Sequence, residues 1–118
     1  MHVLEIPEFY AKDITSLQAA APSLVFVYAT WCGHCKTAKP IIDKVATALG
    51  WNVPVYGVDA DKNALLLESM QVKSFPTLLY VSRDGVKTFQ GERSFDRIVG
   101  FVCENSVNNK FSACPAHI

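Results

Sequence analysis

From Leu24 to Tyr28 the chain is an unbroken apolar run, Leu24-Val25-Phe26-Val27-Tyr28, rich in β-branched and aromatic residues. Alternation of apolar and polar residues marks a strand that is wet on one face. A continuous run marks a strand covered on both faces, at the centre of a sheet. Val53 to Val58 reads as a second buried strand whose start Pro54 weakens. Thr77 to Val81 is a third, and Val86 to Gln90 returns beside it after a turn at Arg83-Asp84-Gly85. Asp-Gly suits such a turn because it supplies positive φ angles. Val3 to Ile6 reads as a short first strand closed by Pro7.

Between these runs the apolar positions recur at helical spacing. Phe9, Ile14 and Leu17 place a helix over about Glu8 to Ala20, ended by Pro22-Ser23. Ile41, Ile42, Val45, Ala46 and Leu49 place the main helix from near Cys32 to about Leu49, with Gly50 as its stop. Pro40 inside it predicts a kink. Asn63 caps a short helix over Ala64 to Met70. Ser94 caps a last one with Phe95, Ile98, Val99 and Val102 on its apolar face. Strands alternate with helices and end in a hairpin plus helix. That order predicts an α/β fold with a mixed sheet. One domain over residues 1–105 and a polar tail over 106–118 follow.

Composition narrows the function classes. Half of the 118 residues are apolar and 19% are charged, which excludes a disordered chain. Lys plus Arg equals Asp plus Glu, at 11 each, with no basic cluster. A nucleic-acid or anionic-membrane surface has no electrostatic support. No run approaches the ~20 apolar residues of a membrane span. The start, Met1-His2-Val3-Leu4-Glu5-Ile6-Pro7-Glu8, has no basic region or long apolar stretch, so the expected compartment is the cytoplasm. A trimmed chain would instead belong to the endoplasmic reticulum lumen.

Candidate chemistry sits at Trp31-Cys32-Gly33-His34-Cys35-Lys36, just after the central strand and at the start of the main helix. First-turn amides of a helix lack internal partners, and the helix dipole adds partial positive charge there. A thiolate at that place is stabilised, so Cys32 is the expected nucleophile. Cys35, one turn on, is the expected buried thiol that resolves a mixed disulfide at Cys32. Gly33 leaves room for a substrate backbone. His34, as imidazolium, favours the Cys32 thiolate and makes the disulfide more oxidising. Zinc would need a second close ligand pair, which Cys103 and Cys114 do not form. Attached haem would need His where Lys36 stands. No metal and no bound cofactor are expected.

Phe26 to Lys36 resembles the active-site segment of the thioredoxin superfamily, with the Cys-Gly-His-Cys form of protein disulfide isomerase catalytic domains. Val72-Lys73-Ser74-Phe75-Pro76-Thr77 resembles the family's cis-proline loop, and Gly91 its groove glycine. The resemblance covers about residues 3 to 104. It implies a thioredoxin-like fold, a central mixed β-sheet flanked by helices, with Pro76 cis beside Cys32. It implies a substrate surface of Trp31, Gly33, His34, Phe75, Pro76 and Gly91, a redox-active Cys32–Cys35 disulfide, and a monomer. Implied partners are protein disulfides or dithiols and a reductase or oxidase. Arg93 stands about where disulfide isomerases carry an arginine that approaches the second cysteine. A non-catalytic binding module or assembly subunit on the same fold is the rival reading.

Two family positions depart. The superfamily's buried acid, which moves protons at the second cysteine, is here Phe26, and its lysine partner is Gly57. Asp59 and Asp61 are expected to face solvent or cap a helix rather than replace it. Cys103 reads first as a buried, inert thiol. A Cys103–Cys114 disulfide and regulatory oxidation of Cys114 are the other readings. His2 and His117 are expected to be solvated. The oxidising bias of His34 and the reducing compartment expected from the amino terminus pull in opposite directions.

Overall fold

A computed structural model describes residues 4–5, 15–19, 22–50, 52–106 and 114. It contains β1 (Leu4–Glu5), α1 (Thr15–Ala19), β2 (Ser23–Tyr28), α2 (Gly33–Leu49), β3 (Val55–Asp59), α3 (Ala64–Met70), β4 (Thr77–Ser82), β5 (Gly85–Thr88) and α4 (Phe95–Asn105). A single 3₁₀ turn, Ala60–Lys62, joins β3 to α3. The expected positions of His2, Pro7, Phe9, Ile14 and His117 lie outside the described residues.

The five strands lie in the order β1-β3-β2-β4-β5. β2 runs parallel to β3 and antiparallel to β4, so the sheet is mixed. The central place of β2 explains its composition. Ser23 to Val27 are all buried. An interior strand of a sheet covered on both sides has no face on which a polar residue would be wetted. α2 and α4 pack together, and α1 rests on β4.

α2 begins where the sequence places it and continues across Pro40. Its buried residues are Cys35, Ala38, Ile42, Val45, Ala46 and Leu49, one apolar stripe. Gly50 ends it at φ +57°, and its N–H donates to the Ala46 carbonyl. An L side chain is strained at that φ, which suits glycine.

Three local expectations change. The hairpin bend is Arg83-Asp84; Gly85 already pairs with Ser82 as the first residue of β5, at φ +139°. Asp84 has no positive φ. Asn63 holds the N-cap place of α3, but its side chain makes no capping bond. It turns back instead, and Nδ2 donates to the Asp59 carbonyl at 2.9 Å. Cys103, expected as an inert thiol, is disulfide-bonded to Cys114. Cys103 lies on the buried face of α4, and Cys114 packs half-buried against the core. The polar stretch after Asn105 is therefore tied to the domain at Cys114.

Candidate active site

Both active-site thiols are free. Cys32 leaves β2 through Ala29-Thr30-Trp31, with its N–H on the Ala29 carbonyl at 3.1 Å. It is the N-cap of α2, in extended conformation at φ −90° and ψ 116°. Its Sγ accepts the backbone N–H of Cys35 at 3.2 Å. The sulfur thus fills the role that a Ser or Asp oxygen fills at most helix starts.

The two thiols are pushed in opposite directions. Cys32 is held below the ordinary thiol value, first by the hydrogen bond that the Cys35 thiol donates to it. Backbone N–H groups of Cys35 and His34 and the charge of Arg93 add to this, against a desolvation cost. Cys35 is pushed up to about 11, first by burial and then by the proton it shares with Cys32. An N–H from Ala29 and the Arg93 charge oppose that rise. The pair therefore consists of one sulfur ready to ionise and one that holds its proton.

His34 acts on Cys32 through its backbone N–H; its imidazole is exposed. Gly33 is exposed, and a Cβ there would meet nothing within 4 Å. The space in front of the dithiol is open to a substrate backbone.

The Phe75–Pro76 peptide is cis. The Cys32 thiol donates to the Phe75 carbonyl at 3.7 Å, which brings the loop before β4 against this sulfur. The Trp31 indole stands edge-on to the Phe75 ring, with centroids 5.9 Å apart and planes at 84°. Its Nε1–H donates to Asp61 Oδ1 at 3.4 Å. Trp31 is nonetheless 67% exposed. Gly91 has φ +114° and, with Pro76 and Arg93, lines a pocket of about 240 Å³ on the β5 side of the loop. The structure thus brings Trp31, Cys32, Cys35, Phe75 and Pro76 together, with Gly91 and Arg93 at one flank.

Asp61 was not expected here. Its tie to Trp31 spans 30 residues of sequence and leaves no local signal. Asp59 is buried and accepts the Asp61 N–H at 2.9 Å, capping the 3₁₀ turn. Neither aspartate replaces the buried acid. Phe26 stands in that place, 1% exposed and stacked on Tyr28 at 5.6 Å. Its register partner in β3 is Gly57, so the two departures from the family are neighbours. Among the described residues no group of three or more His, Cys, Asp or Glu could hold a metal. No helix there is long and apolar enough to cross a membrane.

A mixed five-stranded sheet, a Cys-X-X-Cys pair at a helix start and a cis-proline loop facing it define a thioredoxin-fold thiol site. The thioredoxin family model matches residues 3–104, and the chain belongs to that family. A probable protein disulfide-isomerase A6 of Medicago sativa is 39% identical over 110 residues, covering 89% of this chain and 30% of the relative. Bloodstream-specific protein 2 of Trypanosoma brucei brucei is 34% identical over 104 residues, covering 86% and 21%. The chain thus spans about a fifth to a third of the curated relatives it matches. Among solved structures, the thioredoxin Mala s 13 of Malassezia sympodialis superposes with a TM-score of 0.71 at 21% identity, covering 86% of this chain and 89% of that one. The J-Trx1 fragment of ERdj5 superposes with a TM-score of 0.77 at 18% identity, covering 86% and 50%.

Proposed function

We propose that the chain exchanges disulfides with protein substrates through Cys32 and Cys35. The observation that carries this reading is the opposed pair: Cys32 is held low as the cap of α2 while Cys35 is pushed up to about 11. Ionised Cys32 attacks a substrate disulfide, forms the mixed disulfide and releases one substrate thiolate, which takes up a proton. Cys35 then gives up its proton and attacks Cys32 Sγ, releasing the second substrate thiol. The reverse sequence oxidises a substrate dithiol. Trp31, Gly33, Phe75, Pro76 and Gly91 form the surface that presents the substrate. Arg93 adds positive charge for both sulfurs. His34 biases the pair toward the dithiol. Residues 1–105 are the working domain.

Insulin reduction with dithiothreitol tests this. The wild type accelerates precipitation of the insulin chains; a rate equal to that of Cys32→Ser would refute the enzyme reading. The Cys32–Cys35 potential in glutathione buffer sets the direction of electron flow. A value near that of thioredoxin would remove the oxidising role of His34.

Phe26 bears on the second half-reaction. Among the described residues no carboxylate takes the place of the family's acid, so Cys35 loses its proton slowly and mixed disulfides persist. Phe26→Glu is expected to shorten their lifetime, measured by trapping with acid; an unchanged lifetime counts against this. The Cys103–Cys114 disulfide favours an oxidising compartment over the cytoplasm expected from the amino terminus.

A further inference from the structure

Between the end of β5 and α4 lies a hollow of about 260 Å³, lined by Phe89, Gln90, Arg97, Gly100, Phe101 and Glu104. Its floor is aromatic. Phe89 and Phe101 are half-buried and meet edge to face, with centroids 5.3 Å apart. Arg97 and Glu104 are exposed and stand on either side of Gly100 along the helix. Two turns, about 10 Å of axis, separate them, beyond the i,i+4 spacing at which helix side chains pair. Among the described residues neither has an ion-pair partner.

Gly100 is the anomaly. A glycine inside a helix weakens it relative to alanine. Gly100 has no positive φ, and a Cβ there would meet nothing within 4 Å. Neither its own backbone nor the packing of the described residues calls for a glycine. The missing side chain leaves a notch in the face of α4, flanked by opposite charges.

We infer that this face of α4 docks on the same face of a second copy, antiparallel, about a two-fold axis between Gly100 and Phe101. That axis sets Arg97 against the partner's Glu104, and Glu104 against the partner's Arg97. It also sets Phe101 over the partner's Gly100, so each ring edge enters the other copy's notch. The patch is thus its own complement, as an isologous contact requires. With no side chain at Gly100 the two helix axes can approach closely. α4 has 11 residues and is about 16 Å long. A contact of that size lies at the weak end of protein interfaces, with a dissociation constant on the order of 100 µM. The pairing departs from the monomer that the family resemblance implies, and it does not depend on the exchange reading.

Sedimentation equilibrium tests the assignment, on the full chain carrying Cys32→Ser so that no attacking thiol links two copies. The apparent mass is expected to rise from 13.0 kDa toward twice that between about 10 µM and about 1 mM. Arg97→Glu and Glu104→Arg should each weaken self-association about tenfold, because each sets like charges against one another twice. Mixed in equal amounts, the two variants should associate as tightly as the parent chain, since every charge then meets its opposite. Both substitutions suit the helix dipole, an acid nearer the start and a base nearer the end, so neither loss reports a damaged helix. Gly100→Leu should fill the notch and weaken association about tenfold, while raising the melting temperature. A mass that stays at 13.0 kDa up to about 1 mM overturns the inference. So does a dimer that none of the three substitutions weakens, or a mixture of the charge variants that associates no better than either alone.

Discussion

The molecule holds two cysteine pairs at opposite ends of the chemical scale. Cys32 and Cys35 are free, three residues apart, at a helix start. Cys103 and Cys114 are bonded, with a sequence separation of 11, and Cys103 lies on the buried face of α4. Cys32, Cys35 and Cys103 are all buried and Cys114 is half-buried; only the first pair also meets the backbone N–H groups of a helix start. A sulfur among amides and beside an arginine is drawn toward the thiolate. The bond of the second pair serves to restrict the unfolded chain. What separates a reactive pair from a structural one is therefore the backbone around the sulfurs.

The comparison breaks most sharply in turnover. Cys32→Ser should drop insulin reduction to the dithiothreitol background, while Cys114→Ser should leave it intact. Equal losses would show that the second pair belongs to the reaction. Stability should divide the other way. Closing a loop of this size contributes about 3 kcal/mol. Cys114→Ser should lower the melting temperature by about 10 °C, read by calorimetry on the oxidised protein. A shift no larger than that of Cys35→Ser would remove the distinction.

The pH response sharpens the contrast within the first pair. Alkylation of Cys32 by iodoacetamide follows its thiolate, so its midpoint should fall below that of a free thiol, while Cys35 should stay unreactive until pH approaches about 11. The stability contributions have opposite signs. The lowered value of Cys32 stabilises the reduced fold above the ordinary thiol pKa, and this is lost as pH falls through the lowered value. The raised value of Cys35 stabilises it below the ordinary pKa, and this is lost as pH rises through about 11. The smallest effect belongs to Arg93, the last contributor to each thiol. Arg93→Gln should raise the Cys32 midpoint slightly, and high salt should erase the difference between variant and wild type. A midpoint that does not move would assign Arg93 to the surface alone.

What the sequence revealed was whatever it repeats locally. The apolar run at Leu24 to Tyr28 specified the central strand, and Cys32 and Gly50 bracketed α2 to the residue. Errors arose where one residue had two local partners. Asp84-Gly85 carries a turn signal that is ambiguous by one position of register, and strand pairing decided it. Asn63 could cap α3 or bond back to Asp59, and the carbonyl won. At the site, the Cys-X-X-Cys pair and the proline loop were legible as motifs. Trp31–Asp61 was not, and Cys103–Cys114 stood only as an alternative to an inert thiol, because spacing along the chain does not say which groups meet.

The Cys32 sulfur, the attacking atom of the proposed exchange, is also the cap of α2. A disulfide sulfur carries no charge and accepts a hydrogen bond poorly. In the proposed cycle each oxidation would therefore loosen the first turn of the helix, and each reduction would tighten it. An ordinary N-cap contributes about 1 kcal/mol, which corresponds to roughly 20 mV for two electrons. The helix thus acts as a weak spring in series with the electron transfer: it is relaxed when the pair is reduced and loaded when the bond closes.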